Sequence, residues 1–348
     1  MFFYGKSRLK KCQTMIYYSI GNDSSYRKGE IGMNQYGRSR KALVVIVVVI
    51  GILILASDST GKRVDDAFSP TGDITNIQIE NGSVDFKIVE GDTFYVKGEN
   101  LEENSYTFTQ EGNTLIVKTN KKNFEFHFSL FEEPSRVTVT IPRDIKFDTI
   151  TINNGSGDFI VNTNLPAKQC NITVGSGDVV VEAIQAEEFD CSVGSGDFEV
   201  KDITADNIGA SLGSGDITLG YVECDKMSMA VGSGDFIFKS LEARDCDLEL
   251  GSGDIEGKNM VVMNMTAQTG SGDVYLKGEL TGVSEFVCGS GDIELNLDGD
   301  EDEYSFEIDG NDIEINGNDF GKNYRSDTVM DKQLHLKSGS GDIDVTIR

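Results

Sequence analysis

The chain has no tryptophan, four prolines and two histidines in 348 residues. Against those four prolines stand 39 glycines, so its turns are made with glycine. The two histidines lie in alternating strand-like stretches, His127 in FEFHF and His335 in LHLK. Neither carries a local nucleophile signature, and both read as ordinary strand residues. No stretch shows a 3.6-residue apolar period, which excludes helix-linked βαβ units.

Basic charge is scarce beyond the N-terminus. Residues 1–41 hold nine Lys/Arg against two acidic residues, a net +7, and the remainder holds 22 basic against 56 acidic, a net −34. Such an acidic body repels nucleic acid and anionic headgroups and favours cations, basic proteins or solubility. Long apolar runs are missing with one exception, the fifteen residues Ala42–Ala56. That is short of the roughly 17–25 residues of a spanning helix and near the upper end of a signal core of about 7–15. Small residues are poorly placed for cleavage, with Ile54 at −3 from Ala56. No cysteine follows directly, which excludes a lipoprotein anchor.

The reading is an uncleaved transmembrane signal anchor over 42–57, with a basic cytoplasmic tail over 1–41 and a linker over 58–71. A start at Met33 would leave a typical basic lead-in, which makes 1–32 an extension without a fold. The expected location is the cell membrane, single-pass, with the C-terminal part outside.

The dominant feature is the tetrapeptide Gly-Ser-Gly-Asp, which occurs nine times and reads as a structural turn. Its glycine pairs are Gly155 with Gly157, Gly175 with Gly177, Gly194 with Gly196, Gly213 with Gly215, Gly232 with Gly234, Gly251 with Gly253, Gly270 with Gly272, Gly289 with Gly291 and Gly339 with Gly341. The first interval is 20 residues, the next six are 19, and the last is 50. Degenerate copies stand at Thr71–Asp73, Gly82–Asp85 and Asp309–Asp312. A fixed period of this length is the mark of a solenoid with one coil per repeat.

Alignment of the copies shows which side chains turn inward. Phe159, Val179, Phe198, Ile217, Phe236, Ile255, Val274 and Ile293 follow each Asp directly. Val174, Val193, Leu212, Val231, Leu250, Thr269 and Cys288 precede each turn. Apolar residues recur two positions beyond on either side, so two strands flank each turn, with a second corner between them. Parallel stacking at about 4.8 Å gives eight coils a length of roughly 38 Å. The handedness of parallel crossovers makes the expected fold an all-β, right-handed parallel β-helix of about 19 residues per coil. Residues 72–154 read as irregular opening coils that cap the stack, 155–297 as regular coils, and 298–348 as closing coils with an acidic loop.

Of six cysteines, Cys191, Cys246 and Cys288 fall in inward columns, Cys224 in a small corner slot and Cys170 at the edge of its strand's inward set. Cys170 and Cys191 are one coil apart but shifted by two residues, about 8 Å by strand geometry and beyond bridging reach. Buried free thiols are expected.

The stretch VTVTIPRDIKFDTITINNGSGDF, the tandem GSGD coils and the closing LHLKSGSGDIDVTI resemble the bacterial putative-adhesin β-strand-repeat family, related to autotransporter-type adhesin head domains. The likeness covers residues 70–348. It implies a membrane-anchored, extracytoplasmic right-handed β-helix without established catalytic residues.

The repeat admits three chemistries. The column Asp158, Asp178, Asp197, Asp216, Asp235, Asp254, Asp273 and Asp292 is a candidate cation ladder, since GSGD resembles the calcium-binding nonapeptide β-roll. One Asp per level is a poor calcium shell, and the competing reading is structural: Ser and Asp bond exposed N–H groups of the bend. Carboxylates about 4.8 Å apart repel by about 0.9 kcal/mol at water's dielectric and about 3.5 at an effective value of 20, so the column needs compensation. Catalysis lacks an acid–base or nucleophile constellation. The outward positions Ile160, Val180, Ile237 and Tyr275 form a candidate exposed binding strip for a glycan or protein.

The function expected is a non-enzymatic envelope scaffold or adhesion module whose partner is an envelope protein or glycan. A membrane-tethered sensor or regulator of envelope stress is the alternative, and a calcium-binding surface repeat protein the third reading. Beyond calcium no cofactor is expected.

Overall fold

The computed structural model describes residues 62–120 and 134–348. The expected tail, anchor and alternative start, together with Cys12 and His127, lie outside the described residues. Among the described residues no helix is long and apolar enough to cross a membrane.

Alternating β-branched and aromatic residues make extended chain throughout. Eight strands precede the regular coils. They are β1 (Arg63–Phe68), β2 (Asn76–Asn81), β3 (Asp85–Gly91), β4 (Tyr95–Glu102), β5 (Tyr106–Glu111), β6 (Thr114–Thr119), β7 (Arg136–Pro142) and β8 (Phe147–Ser156). Six long extended segments follow, each nearly a whole coil: β9 (Phe159–Ser176), β10 (Val179–Ser195), β11 (Phe198–Ser214), β12 (Ile217–Ser233), β13 (Phe236–Ser252) and β14 (Ile255–Ser271). The chain closes with β15 (Val274–Leu280), β16 (Val283–Ser290), β17 (Ile293–Leu297), β18 (Tyr304–Ile315), β19 (Asn318–Arg325), β20 (Lys332–Ser338) and β21 (Ile343–Ile347).

The coils stack in parallel at a 19-residue offset, Val179 on Phe198 through Ser195 on Ser214. The single 20-residue interval is absorbed between β9 and β10, where the register shifts between Val181 and Ala183. That leaves Thr163 turned into the core at 9% exposure.

Each coil has three sides rather than the two expected. Inward residues run Val179, Val181, then Ile184, then Phe189, Cys191, Val193. The alternation slips by one residue between Val181 and Ile184 and again before Phe189. Pairing lapses at the same places, Glu182 and Glu187, and a third time at Gly194. A slip in inward parity is what a bend does to a period-2 pattern.

Both ends break chain order. The first coil, β2 and β3, is enclosed: β2 pairs with β8 on one edge and β6 on the other, and β3 with β9 and β7. Antiparallel partners then cover the outer strands, β5 on β6 and β4 on β7. At the other end, β20 and β21 lie between β16 and β17 on one side and β18 on the other. The antiparallel β19 covers β18. The 50-residue gap in the repeat is therefore an excursion to the outermost layer, and Gly339 returns to stack directly on Gly289.

The core is a continuous apolar column with ring contacts between coils. Phe86 stacks on Phe159 with centroids 5.8 Å apart, and Phe189 on Phe198 at 6.3 Å. Each such ring contributes about 1.5–3 kcal/mol by leaving water. In the column that precedes the corner, the first two positions are polar, Asn81 and Asn154. The amide of Asn81 donates to the Val84 carbonyl at 2.7 Å and to Asn154 Oδ1, Asn154 donates to the Gly157 carbonyl at 2.7 Å, and Tyr106 donates to Asn81 Oδ1. Among the described residues no buried side-chain nitrogen or oxygen lacks a partner.

Candidate functional site

The GSGD corners line up along one edge of the stack, but they are not the self-closed turns expected. At the first eight copies the first glycine still belongs to the extended chain, as Gly175 does in β9 and Gly232 in β12. The chain bends at the second glycine, between one extended segment and the next, at Gly177, Gly234, Gly253 and Gly272 as at the other early copies, while at the last copy the bend runs from Gly339 to Gly341. The backbone bonds made there reach another coil instead of crossing the bend. Gly177 N–H donates to the Ser195 carbonyl at 3.1 Å, and Gly234 and Gly253 donate to Ser252 and Ser271 at 3.0 Å. The last copy is the exception: Gly341 N–H donates across its own bend to Ser338 Oγ at 2.8 Å, a hydroxyl outside the tetrapeptide. The reason is stacking: the neighbouring level offers a carbonyl where an isolated turn would have to supply its own.

Sterics explain why both places are glycine. At the first, a Cβ would overlap the carbonyl oxygen of the first glycine one coil before, as Gly213 would with Gly194. The second glycine carries a further restriction: Gly215 sits at φ +119°, and its Cβ would meet the Gly196 carbonyl. At Gly341 the overlap with the Gly291 carbonyl acts without a positive φ. The serine hydroxyls of the corners make no hydrogen bond among the described residues, contrary to the expected bend-closing bond.

The aspartates do bond, but not within their own bend as expected. Asp158 Oδ1 accepts the backbone N–H of Asp178 at 3.3 Å. Asp178, Asp197, Asp216, Asp235, Asp254 and Asp273 each accept the N–H of the next Asp at 2.8–3.0 Å, and Asp292 accepts that of Asp342 at 2.8 Å. Each carboxylate oxygen substitutes for the carbonyl that a straight parallel ladder would offer there. The Asp carbonyl is engaged in the other direction, with Phe198 N–H donating to the Asp216 carbonyl at 2.9 Å. One charge-assisted bond per level offsets the repulsion between neighbouring carboxylates.

Two members of the ladder were missed by the sequence reading. Asp342 receives the side-chain amide of Asn311 at 3.2 Å, so a degenerate copy caps the top. Gly82 and Val84 form the bottom tier beneath Gly155 and Gly157. The Gly82–Asp85 and Asp309–Asp312 copies carried that signal. Among the described residues no three His, Cys, Asp or Glu side chains converge as metal ligands would.

The candidate strip lies on the side that follows the corner. Ile160 and Val180 are register partners, while Glu199, Thr218 and Glu256 separate them from Ile237 and Tyr275. Val180 is 39% exposed and the other three are half-buried.

Elsewhere, a groove of about 710 Å³ runs along the second bend. Its floor is Ala186, Ala205, Cys224 and Ala243, and Asp206, Glu223, Asp225 and Glu242 line it. His335 faces outward on β20, in register between Glu285 and Glu307, with Nδ1 3.5 Å from Glu307. The five described cysteines are free thiols. Burial pushes Cys170, Cys224 and Cys288 up to about 12, and raises Cys191 and Cys246 as well. These thiols stay protonated and are poor nucleophiles.

With the ladder and coil register described, sequence comparison decides the family. The sequence model of Toastrack DUF4097 matches residues 74–192 and again 187–348. The chain belongs to the Toastrack DUF4097 family. The two matches divide this Toastrack chain near β10, within the regular coils. No curated protein matches it.

Solved structures resemble this Toastrack chain at low identity. A protein named "putative adhesin" from Parabacteroides distasonis is 15% identical over 82% of this chain and 98% of its own, with a TM-score of 0.47. One named "putative lipid binding protein" from the same organism is 18% identical over 82% and 97%, at 0.44. A "putative adhesin" from Parabacteroides merdae is 14% identical over 82% and 97%, at 0.43. The family assignment rests on the sequence match and not on these likenesses.

Proposed function

We propose that this Toastrack protein is a non-enzymatic cell-envelope scaffold or adhesion module. In this reading it is held to the membrane through residues 42–57 and winds outside as a right-handed solenoid. The observation that carries it is the use of the repeated polar groups. The Asp residues that recur with the coil accept backbone N–H groups of the next coil, so the most regular chemistry of the chain serves to stiffen a stack. What remains for partners is long, flat, exposed sheet, suited to extended surfaces such as an envelope glycan or protein. The names of the structural neighbours are compatible with this reading.

The test is protease treatment of intact cells that carry the full chain with a different tag at each end. Loss of the C-terminal tag with retention of the N-terminal tag is expected. A C-terminal tag that survives until lysis overturns the placement, and cleavage of an envelope polysaccharide by the purified chain overturns the non-enzymatic part.

A further inference from the structure

The C-terminal coil is last in sequence, yet it is paired on both edges. On one edge β20 aligns Val283 with Gln333 through Cys288 with Ser338, and β21 aligns Ile293 with Ile343 through Leu297 with Ile347. On the other edge β18 aligns Tyr304 with Lys332 through Asp309 with Lys337, and Ile313 with Ile343 through Ile315 with Val345. Every one of these pairings is parallel. Without this coil, β16 and β17 present one open strand edge and β18 another, beside the buried side chains of Phe286, Leu295, Phe306 and Ile313. β16, β17 and β18 all come earlier in the chain than the coil they enclose, and β18 is paired to the rest of the stack through that coil. Open edges of this kind are templates for strand addition.

The connection to the coil is suited to a change of path. Ser326–Asp331 holds two apolar side chains that find little packing, Val329 at 77% and Met330 at 37% exposure. The contacts that fix the coil lie beyond this loop. Lys332 Nζ is 2.7 Å from Glu303 and 3.5 Å from Glu279, and 5.1 Å from the Tyr304 ring centre. A coil from another copy would remake each of them, with only the loop rerouted.

We propose that two copies of this chain exchange residues 332–348 reciprocally across the 326–331 loop, giving a dimer joined at its C-terminal ends. The edge of β16 and β17 selects this occupant by register. Asp342 N–H must meet Asp292 Oδ1 at 2.8 Å, Ser338 Oγ must reach the Gly291 carbonyl at 2.7 Å, and any Cβ at position 339 would overlap the Gly289 carbonyl. A foreign strand without the glycine pair cannot enter.

Disulfide trapping in the full chain tests the exchange. Glu285 and His335 are outward register partners, and parallel strand spacing of about 4.8 Å falls within bridging range. E285C chains and H335C chains with different tags are co-produced and oxidised with diamide, which takes up the two electrons and two protons that the thiols release. E294C with D344C, register partners beyond the corner, forms a second pair in case the first perturbs folding. A covalent dimer that carries both tags, several-fold above the wild-type background, is expected. Two-tag dimer at wild-type background for both pairs overturns the proposal. So does a full chain that light scattering finds monomeric at every concentration.

Discussion

Asp197 Oδ1 accepts the backbone N–H of Asp216 at 3.0 Å, one coil away and 19 residues on. The bond joins levels of the stack rather than the two sides of a bend. A turn motif therefore acts as an axial tie, repeated in eight successive bonds from Asp158 to Asp342.

Mutation in the middle of the ladder separates the acceptor from the charge. Asp216→Asn keeps an oxygen for the Asp235 N–H and removes one repelling carboxylate, so stability is expected to hold or rise. Asp216→Ala leaves that N–H without its acceptor and is expected to cost about 1 kcal/mol. Urea unfolding of the two variants checks the order; equal loss from both would mean that charge, not the acceptor, matters.

Glycine at the corner is predicted to be irreplaceable for a reason that a lone turn lacks. Gly215→Ala meets both the positive φ and the Gly196 carbonyl, and is expected to cost about 3 kcal/mol or more. Gly112→Ala at φ +58° meets nothing within 4 Å and is expected to cost about 1 kcal/mol. Comparison of thermal midpoints decides it.

Core truncation is expected to be severe because each ring is held by the coil on either side. Phe198 is 1% exposed and stacks on Phe189, so Phe198→Ala is expected to cost about 3–5 kcal/mol. Denaturant midpoints with unchanged slopes would confirm a packing loss.

The thiols predict alkaline sensitivity. Burial raises Cys170 from 9.0 to about 12 and Cys288 likewise, so the folded state holds protons that the unfolded state releases. Their stabilising contribution is full below pH 9.0 and is lost as pH rises toward about 12. Unfolding free energy should fall across that window, and less steeply in Cys170→Ala. Thiol reagents at pH 8 should modify these side chains only at the rate of unfolding.

The columns of the repeat made the period, the inward faces and the need for glycine legible. A 19-residue interval fixes which residues stack, and period-2 burial fixes which of them point inward. The third side was also written in the sequence, as the slip of inward parity between Val181 and Ile184 and before Phe189. Read as one corner, those slips gave one bend too few.

Three features were decided by tertiary structure alone. Asp and the N–H that it binds are 19 residues apart, so a local reading assigns the bond to the wrong level. The polar triad of Asn81, Asn154 and Tyr106 forms only when strands distant in sequence share one core position. The enclosure of the terminal coils depends on which edge each excursion covers. Local sequence determined the coil, because side-chain alternation and glycine sterics act over a few residues. The order of layers at each end depends on pairing between edges that the whole chain must first create.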